Sequence, residues 1–213
     1  MHEPHLPESS DAPRIIGAND GHNIDLGALA ARFLIWGEET GGRFSLVEHP
    51  IPPRTLAAPL HRHVDEDEYS YVLEGELGVM LGDQVITARA GELVFKPRNQ
   101  WHTFWNAGDG PCRILEIVSP GGFEKLFAEM GADPDTFTGD SAPDLDAKYN
   151  LEVDYDSIGR LCVSVLCAPA SPTPAATCVE IGSVTSGCSR SNCATCAISR
   201  SYCSSDMTIS PSP

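Results

Sequence analysis

Four side chains carry the chemistry of this sequence, and two of them are separated by a single residue. His61 and His63 lie in Leu60-His61-Arg62-His63, a run of strand character. Strand residues two apart point to the same face, so both imidazoles face one way. Glu68 follows five residues later, ahead of Tyr69-Ser70-Tyr71-Val72-Leu73. If His61 and His63 face the interior, Glu68 turns inward from the start of the next strand, with Ser70 and Val72 on its face. Two imidazoles and a carboxylate suit one divalent transition metal (Fe, Mn, Ni, Co, Cu or Zn) better than Mg or Ca. His102 is distant in sequence. A turn holding Pro97 and Asn99 leads into its strand, where Gln100, His102 and Phe104 share a face.

Many short strands must position these groups. Strand-like runs begin near Arg14-Ile15-Ile16 and continue through Arg32 to Trp36. Arg43 to His49 is another, ended by Pro50, Pro52 and Pro53 because proline cannot donate to a central ladder. Between 58 and 119 the runs fall at about 59–64, 69–74, 77–82, 85–88, 93–96, 101–106 and 112–118. Turn signals such as Gly82-Asp83 and Ala90-Gly91 separate them. The pattern predicts an all-β sandwich or closed barrel. Phe123, Leu126, Phe127 and Met130 then share one face at helical spacing, so 121–130 reads as a helix stopped by Gly131. Two more short helices are expected around 143–149 and 156–162.

In this frame the sequence resembles the cupin superfamily. One family motif is HxH, four residues, Glu, six residues, Gly, met by His61, His63, Glu68 and Gly75. The other is Gly, five residues, Pro-x-Gly, two residues, His, three residues, Asn, met by Gly91, Pro97, His102 and Asn106. Asn99 replaces the family's glycine, and asparagine is among the few residues that tolerate a positive φ. The motifs cover about 58–106, with looser similarity from 14 to 162. Val72 to Leu77 and Val94 to Arg98 look most like the single-domain, quercetin dioxygenase-like group.

The resemblance implies a double-stranded β-helix (jelly-roll) barrel and a metal held by His61, His63, Glu68 and His102. Four ligands on a six-coordinate ion leave two positions for O2, or for both oxygens of an enediol, a β-diketone or a hydroxy-keto compound. Dioxygenase-type chemistry on a small oxygenated molecule follows, with Glu68 as the candidate base. The same ligands would serve an isomerase, a decarboxylase or a non-catalytic ligand-binding barrel. The family also implies a homodimer. Strand alternation alone offers Ser70, Val72, Gln100 and Phe104 as pocket walls. Phe33, Phe44, Met80, Phe95, Trp101 and Trp105 read as core or interface, and Cys112 as a buried small hydrophobe; His49 could enter the cavity from its strand but reads first as a surface histidine. Asp65-Glu66-Asp67 reads as a solvated loop, in which only Glu66 could replace Glu68.

The chain has 213 residues and a formal charge of -16, from 14 Lys and Arg against 30 Asp and Glu. Such acidity repels phosphate backbones and anionic lipid, so nucleic acid and membrane are not expected partners. No helix-turn-helix segment is evident. Met1 to Pro7 lacks a basic and apolar signal pattern, and no apolar run approaches a membrane span, which points to the cytoplasm and to mostly reduced cysteines. Residues 1–13 read as a flexible arm and 14–162 as the barrel with its C-terminal helices. Residues 163–213 read as a Ser/Thr/Cys-rich, disordered-looking tail. Cys188, Cys193, Cys196 and Cys203 follow the spacing C-x4-C-x2-C-x6-C, without the turn glycines or the distant fourth cysteine that a zinc or iron–sulfur site would show.

Overall fold

The computed structural model describes residues 13–26, 28–132 and 142–162. Residues 163–213, with all the tail cysteines, and the arm apart from Pro13 lie outside them. Eleven strands form two antiparallel sheets. They are β1 (His22–Asp25), β2 (Ala30–Ile35), β3 (Ser45–Ile51), β4 (Leu60–His63), β5 (Asp67–Glu74), β6 (Glu76–Leu81), β7 (Gln84–Arg89), β8 (Leu93–Lys96), β9 (His102–Asn106), β10 (Cys112–Ser119) and β11 (Leu151–Asp154). One sheet runs β1-β2-β3-β10-β5-β8 and the other β11-β4-β9-β6-β7. Helices α1 (Glu124–Ala132) and α2 (Ala142–Lys148) lie between β10 and β11, and α3 (Ser157–Leu161) follows β11.

Alternation along the strands fills the space between the sheets. The inward row of the larger sheet is Ser45, Val47, His49 and Ile51 on β3, Cys112, Ile114, Glu116 and Val118 on β10, and Glu68, Ser70 and Val72 on β5, all buried. Leu77, Val79 and Phe104 meet it from the smaller sheet. Each such aliphatic or aromatic side chain contributes roughly 1.5–3 kcal/mol by leaving water. The outer side of β9 is covered as well. Trp105 packs there with Leu56, Ile158 and Leu161, and its indole lies so close to Gly78 that a Cβ would approach it to 2.2 Å.

Several strand limits differ from expectation. Arg14 to Ile16 form no strand, and pairing starts at His22. Pro50 lies inside β3, opposite Arg113. The β2 ladder has ended by then, at Arg32 opposite Glu48, so β3 is locally an edge and a missing N–H costs little. Gly131 does not stop α1 but lies within it, where a Cβ would press on the Ile24 side chain at 3.0 Å. Its role is close approach of the helix to β1. The sequence reading missed β11, whose four residues Leu-Glu-Val-Asp carry too little pattern, yet it completes the smaller sheet by pairing with β4. The Gly82-Asp83 hairpin forms between Leu81 and Gln84, with Gly82 at φ 56°.

The lone free cysteine among the described residues, Cys112, is fully buried, and burial pushes its thiol up to about 11. No helix among the described residues is long and apolar enough to cross a membrane.

Candidate metal centre

Three neighbouring strand ends carry the four side chains. His61 and His63 point inward from β4, Glu68 is the second residue of β5, and His102 is the first of β9, paired directly with His61. The turn before β9 ties these ends together. Asn99, at φ 61°, donates its backbone N–H to the His63 carbonyl at 2.7 Å and its side-chain amide to Val64 at 3.3 Å. Arg98 grips Asp67 at the start of β5 with both its side chain and its backbone. Asn106 holds the far end of β9 by bonding Ile51, Gly108 and Gly110.

One ligand atom from each of His61, His63, Glu68 and His102 lies within 4.8 Å of the others, and all four residues are buried. The Nδ1–H of His61 donates to the Pro59 carbonyl at 2.8 Å, and that of His102 to the Gln100 carbonyl at 3.0 Å. A carbonyl only accepts, so these bonds fix the tautomer and leave each Nε2 with a lone pair. Burial is the first reason both rings stay neutral, followed for His61 by its histidine neighbours; His61 is held well below the usual range, and His102 below it.

The arrangement asks for a cation. The unprotonated Nε2 of His102 stands 3.1 Å from Glu68 Oε2, acceptor against acceptor. Both nitrogens of His63 are buried without a hydrogen bond, with Nε2 3.3 Å from Glu68 Oε1. A divalent transition metal satisfies such a set of neutral nitrogens and one carboxylate, with carbonyls behind two of the imidazoles. The residues present therefore fit the group.

Glu68 is more heavily engaged than its sequence position revealed. Lys96, fully buried on β8, places Nζ 2.8 Å from Glu68 Oε2 and 3.1 Å from Glu116 Oε1. The Ser70 hydroxyl is 3.1 and 2.8 Å from the two Glu116 oxygens. Burial alone would raise the Glu68 carboxyl, but the Lys96 charge, then His63 and His102, hold it well below the usual carboxylate range. Burial pushes Glu116 up to about 7 against the pull of Lys96. Sequence reasoning missed both residues. The only available signal was a charged side chain at an inward position of each strand.

A cavity of about 130 Å³ opens beside the cluster. His61, Glu68, Glu116 and His49 supply polar wall, and Phe104, Phe123, Phe127 and Met130 much of the apolar wall. Of the expected pocket residues, Phe104 lines the cavity. Ser70 lies behind Glu116, and Val72 belongs to the apolar core. Gln100 is exposed, because inward alternation begins only at His102; its carbonyl, not its side chain, serves the site. His49 is not at the surface: it is 1 % exposed, packs edge-on against Phe127 and donates to the Ala30 carbonyl. Glu66 faces the Nδ1 side of His63 at 3.6 Å, away from the cluster. Asp65 and Asp67 pair with Asn150 and Arg98.

An inward cluster of three histidines and a glutamate in a two-sheet barrel marks a candidate metal site in a β-barrel of the double-stranded β-helix type. The family comparison is consistent with this: residues 48–118 match the family described as "Cupin domain". Over 60 residues it is 33% identical to the tetracenomycin polyketide synthase protein TcmJ of Streptomyces glaucescens, spanning 28% of this chain and 40% of that protein's length. Among solved structures it resembles a predicted oxalate decarboxylase of Thermotoga maritima (TM-score 0.46, 18% identity, 50% of this chain and 99% of that one). It also resembles KdgF from a Halomonas species (TM-score 0.47, 13% identity, 54% and 99%).

Proposed function

We propose that the protein is a metal-dependent enzyme acting on a compact oxygenated molecule, with dioxygenase-type chemistry. The observation that carries this is the buried cluster at the cavity wall, where His61 and Glu68 belong both to the ligand set and to the lining. A divalent metal bound there supplies Lewis acidity, easing loss of a proton from a bound hydroxyl or enol. The side chains do the rest. Pro59 and Gln100 aim the imidazoles, Phe104, Phe123 and Phe127 keep bulk water out, and Lys96 and the histidines keep Glu68 ionised as a ligand. With those partners Glu68 is better suited to hold a metal than to serve as the base.

The cavity size narrows the substrate. A volume of about 130 Å³ is comparable with cavities of about 150 Å³ that hold benzene. A single ring or a short β-diketone fits.

Metal content by mass spectrometry tests the reading first. About one transition metal per chain is expected, lost in both His61→Ala and His102→Ala. Oxygen uptake with one-ring hydroxy-ketones and β-diketones then tests the chemistry. Tight metal binding without turnover would favour a ligand-binding barrel instead. We further propose that the protein is a cytoplasmic homodimer. Tyr71, Leu93 and Phe95 leave an exposed apolar stripe beside edge strand β8 for such a contact, checked by sedimentation.

A further inference from the structure

Lys96 and Glu116 are buried charges that the ligand set does not use. Lys96 extends from β8 over the Phe104 ring, 4.6 Å from its centre, and is shared between Glu68 and Glu116. Both carboxylates hold the same ammonium, at 2.8 and 3.1 Å, so their nearest oxygens are no more than about 6 Å apart. Only Glu116 of this pair lines the cavity; Lys96 sits behind it with no exposed surface. On β10 Glu116 stands opposite Ser70, whose hydroxyl fixes the carboxylate plane.

A cation at the His61, His63, Glu68 and His102 cluster takes up the Glu68 charge and leaves Lys96 to balance Glu116. An ionised carboxylate offers about four acceptor sites. Ser70 and Lys96 use part of them, and the remainder is available on the cavity side.

We propose that Glu116 forms a second ligand-binding pole of the cavity, accepting a hydrogen bond from a hydroxyl beside the oxygens that the metal holds. This rests on the metal-dependent reading above. The reach is suitable. An ion sits about 2 Å from a carboxylate oxygen, and a charge-assisted O–H···O contact spans about 2.6 Å. A hydroxyl on the ring atom next to a chelating oxygen pair covers the distance that remains. The ligand class is therefore a compact, single-ring compound with three contiguous oxygens: two for the metal and a donor for Glu116. A two-oxygen chelator would fill the metal pole and leave Glu116 unserved.

The experiment compares two probes on the zinc-loaded full chain, where zinc is redox-silent. Tropolone presents a chelating oxygen pair, and α-hydroxytropolone adds the adjacent hydroxyl. Absorbance titration should show the hydroxylated probe binding about tenfold tighter, the strength of one hydrogen bond to a charged group. Glu116→Gln should cut that ratio to about twofold. Loss of the negative charge acts on both probes, so the ratio, not either affinity, is the readout. Ser70→Ala keeps the Glu116–Lys96 pair but frees the carboxylate to rotate; it should give an intermediate ratio, and it decides the matter if Glu116→Gln does not fold. Equal ratios in wild type and Glu116→Gln overturn the proposal, as does a wild-type ratio near one. So does a zinc-loaded protein that binds neither probe. A wild-type protein that retains no zinc would instead overturn the metal-dependent reading, and the second pole would fall with it.

Discussion

His49 gives the fold a measurable pH dependence. It sits on β3 with 1 % exposure, between the Ala30 carbonyl and the edge of Phe127. Burial is the main reason its pKa falls to about 4; Lys96 pushes the same way, while Ala30, Glu68 and Glu48 oppose. The unfolded chain returns it to about 6.5. Between these values the unfolded state binds more protons than the folded one, so stability falls as the pH falls. The contribution is whole above about pH 7, is lost progressively between 6.5 and 4, and is constant below that. Its full size is about 3 kcal/mol, at 1.36 kcal/mol per pKa unit, and most is gone by pH 4.5. Urea unfolding with EDTA present, at pH 7.5 and 4.5, measures it. His61 and His102 are lowered too, but wild type and His49→Gln share them, so the difference between the two proteins isolates His49. The variant should be less stable at pH 7.5 and should lose about 2–3 kcal/mol less than wild type on acidification. Equal losses would mean that the imidazole takes up its proton inside the fold, and the burial argument would fail.

Other variants probe the scaffold and the charges. Gly78→Ala places a Cβ within 2.2 Å of the Trp105 indole, a clash expected to lower stability by about 2–4 kcal/mol in chemical unfolding. Asn99→Gly should be nearly neutral. Asn99→Ala should cost about 1–2 kcal/mol in the same assay, because φ is 61° and the turn carries the bond to His63. Lys96→Met leaves Glu68 and Glu116 without their shared cation and should destabilise the metal-free protein by about 3–5 kcal/mol. Zinc should restore part of that loss in thermal melts, since it gives Glu68 a new counter-charge. An unchanged melt in the variant, with or without zinc, would show that the ammonium is not confined between the two carboxylates.

The legible parts of this protein were those with strong local signals. Alternation in β5 and β10 and the turns at Gly75, Gly82 and Gly91 placed the central strands closely. The spacing of His61, His63, Glu68 and His102 assembled a cluster that the three-dimensional structure brings within 4.8 Å. Features set by tertiary contacts were not legible. Gly131 looks like a helix stop in sequence, but its partner is Ile24, more than a hundred residues away. Pro50 looks like a strand end because nothing local shows where the β2 ladder finishes. Gln100 obeys the alternation of His102 only if the strand begins two residues earlier than it does.

Lys96 and Glu116 show the same limit at the site itself. A lysine within Leu-Val-Phe-Lys and a glutamate within Ile-Leu-Glu-Ile-Val are each compatible with a solvated strand face; only register puts them inward and together. Their charges change what the barrel can accept. Inside the barrel the Lys96 ammonium stands against the carboxyls of Glu68, held ionised, and Glu116, pushed up to about 7. A divalent ion beside Glu68 leaves the site net positive in either protonation state of Glu116. Unbalanced charge is costly in so dry an interior, so the loaded site favours an anionic ligand, such as an enolate or an ionised enediol, over a neutral polyol. The aromatic wall of Phe104, Phe123 and Phe127 accommodates the apolar body of such a ligand, and the Glu116 carboxylate on the same wall favours a hydrogen-bond donor over a second acceptor beside the metal pole.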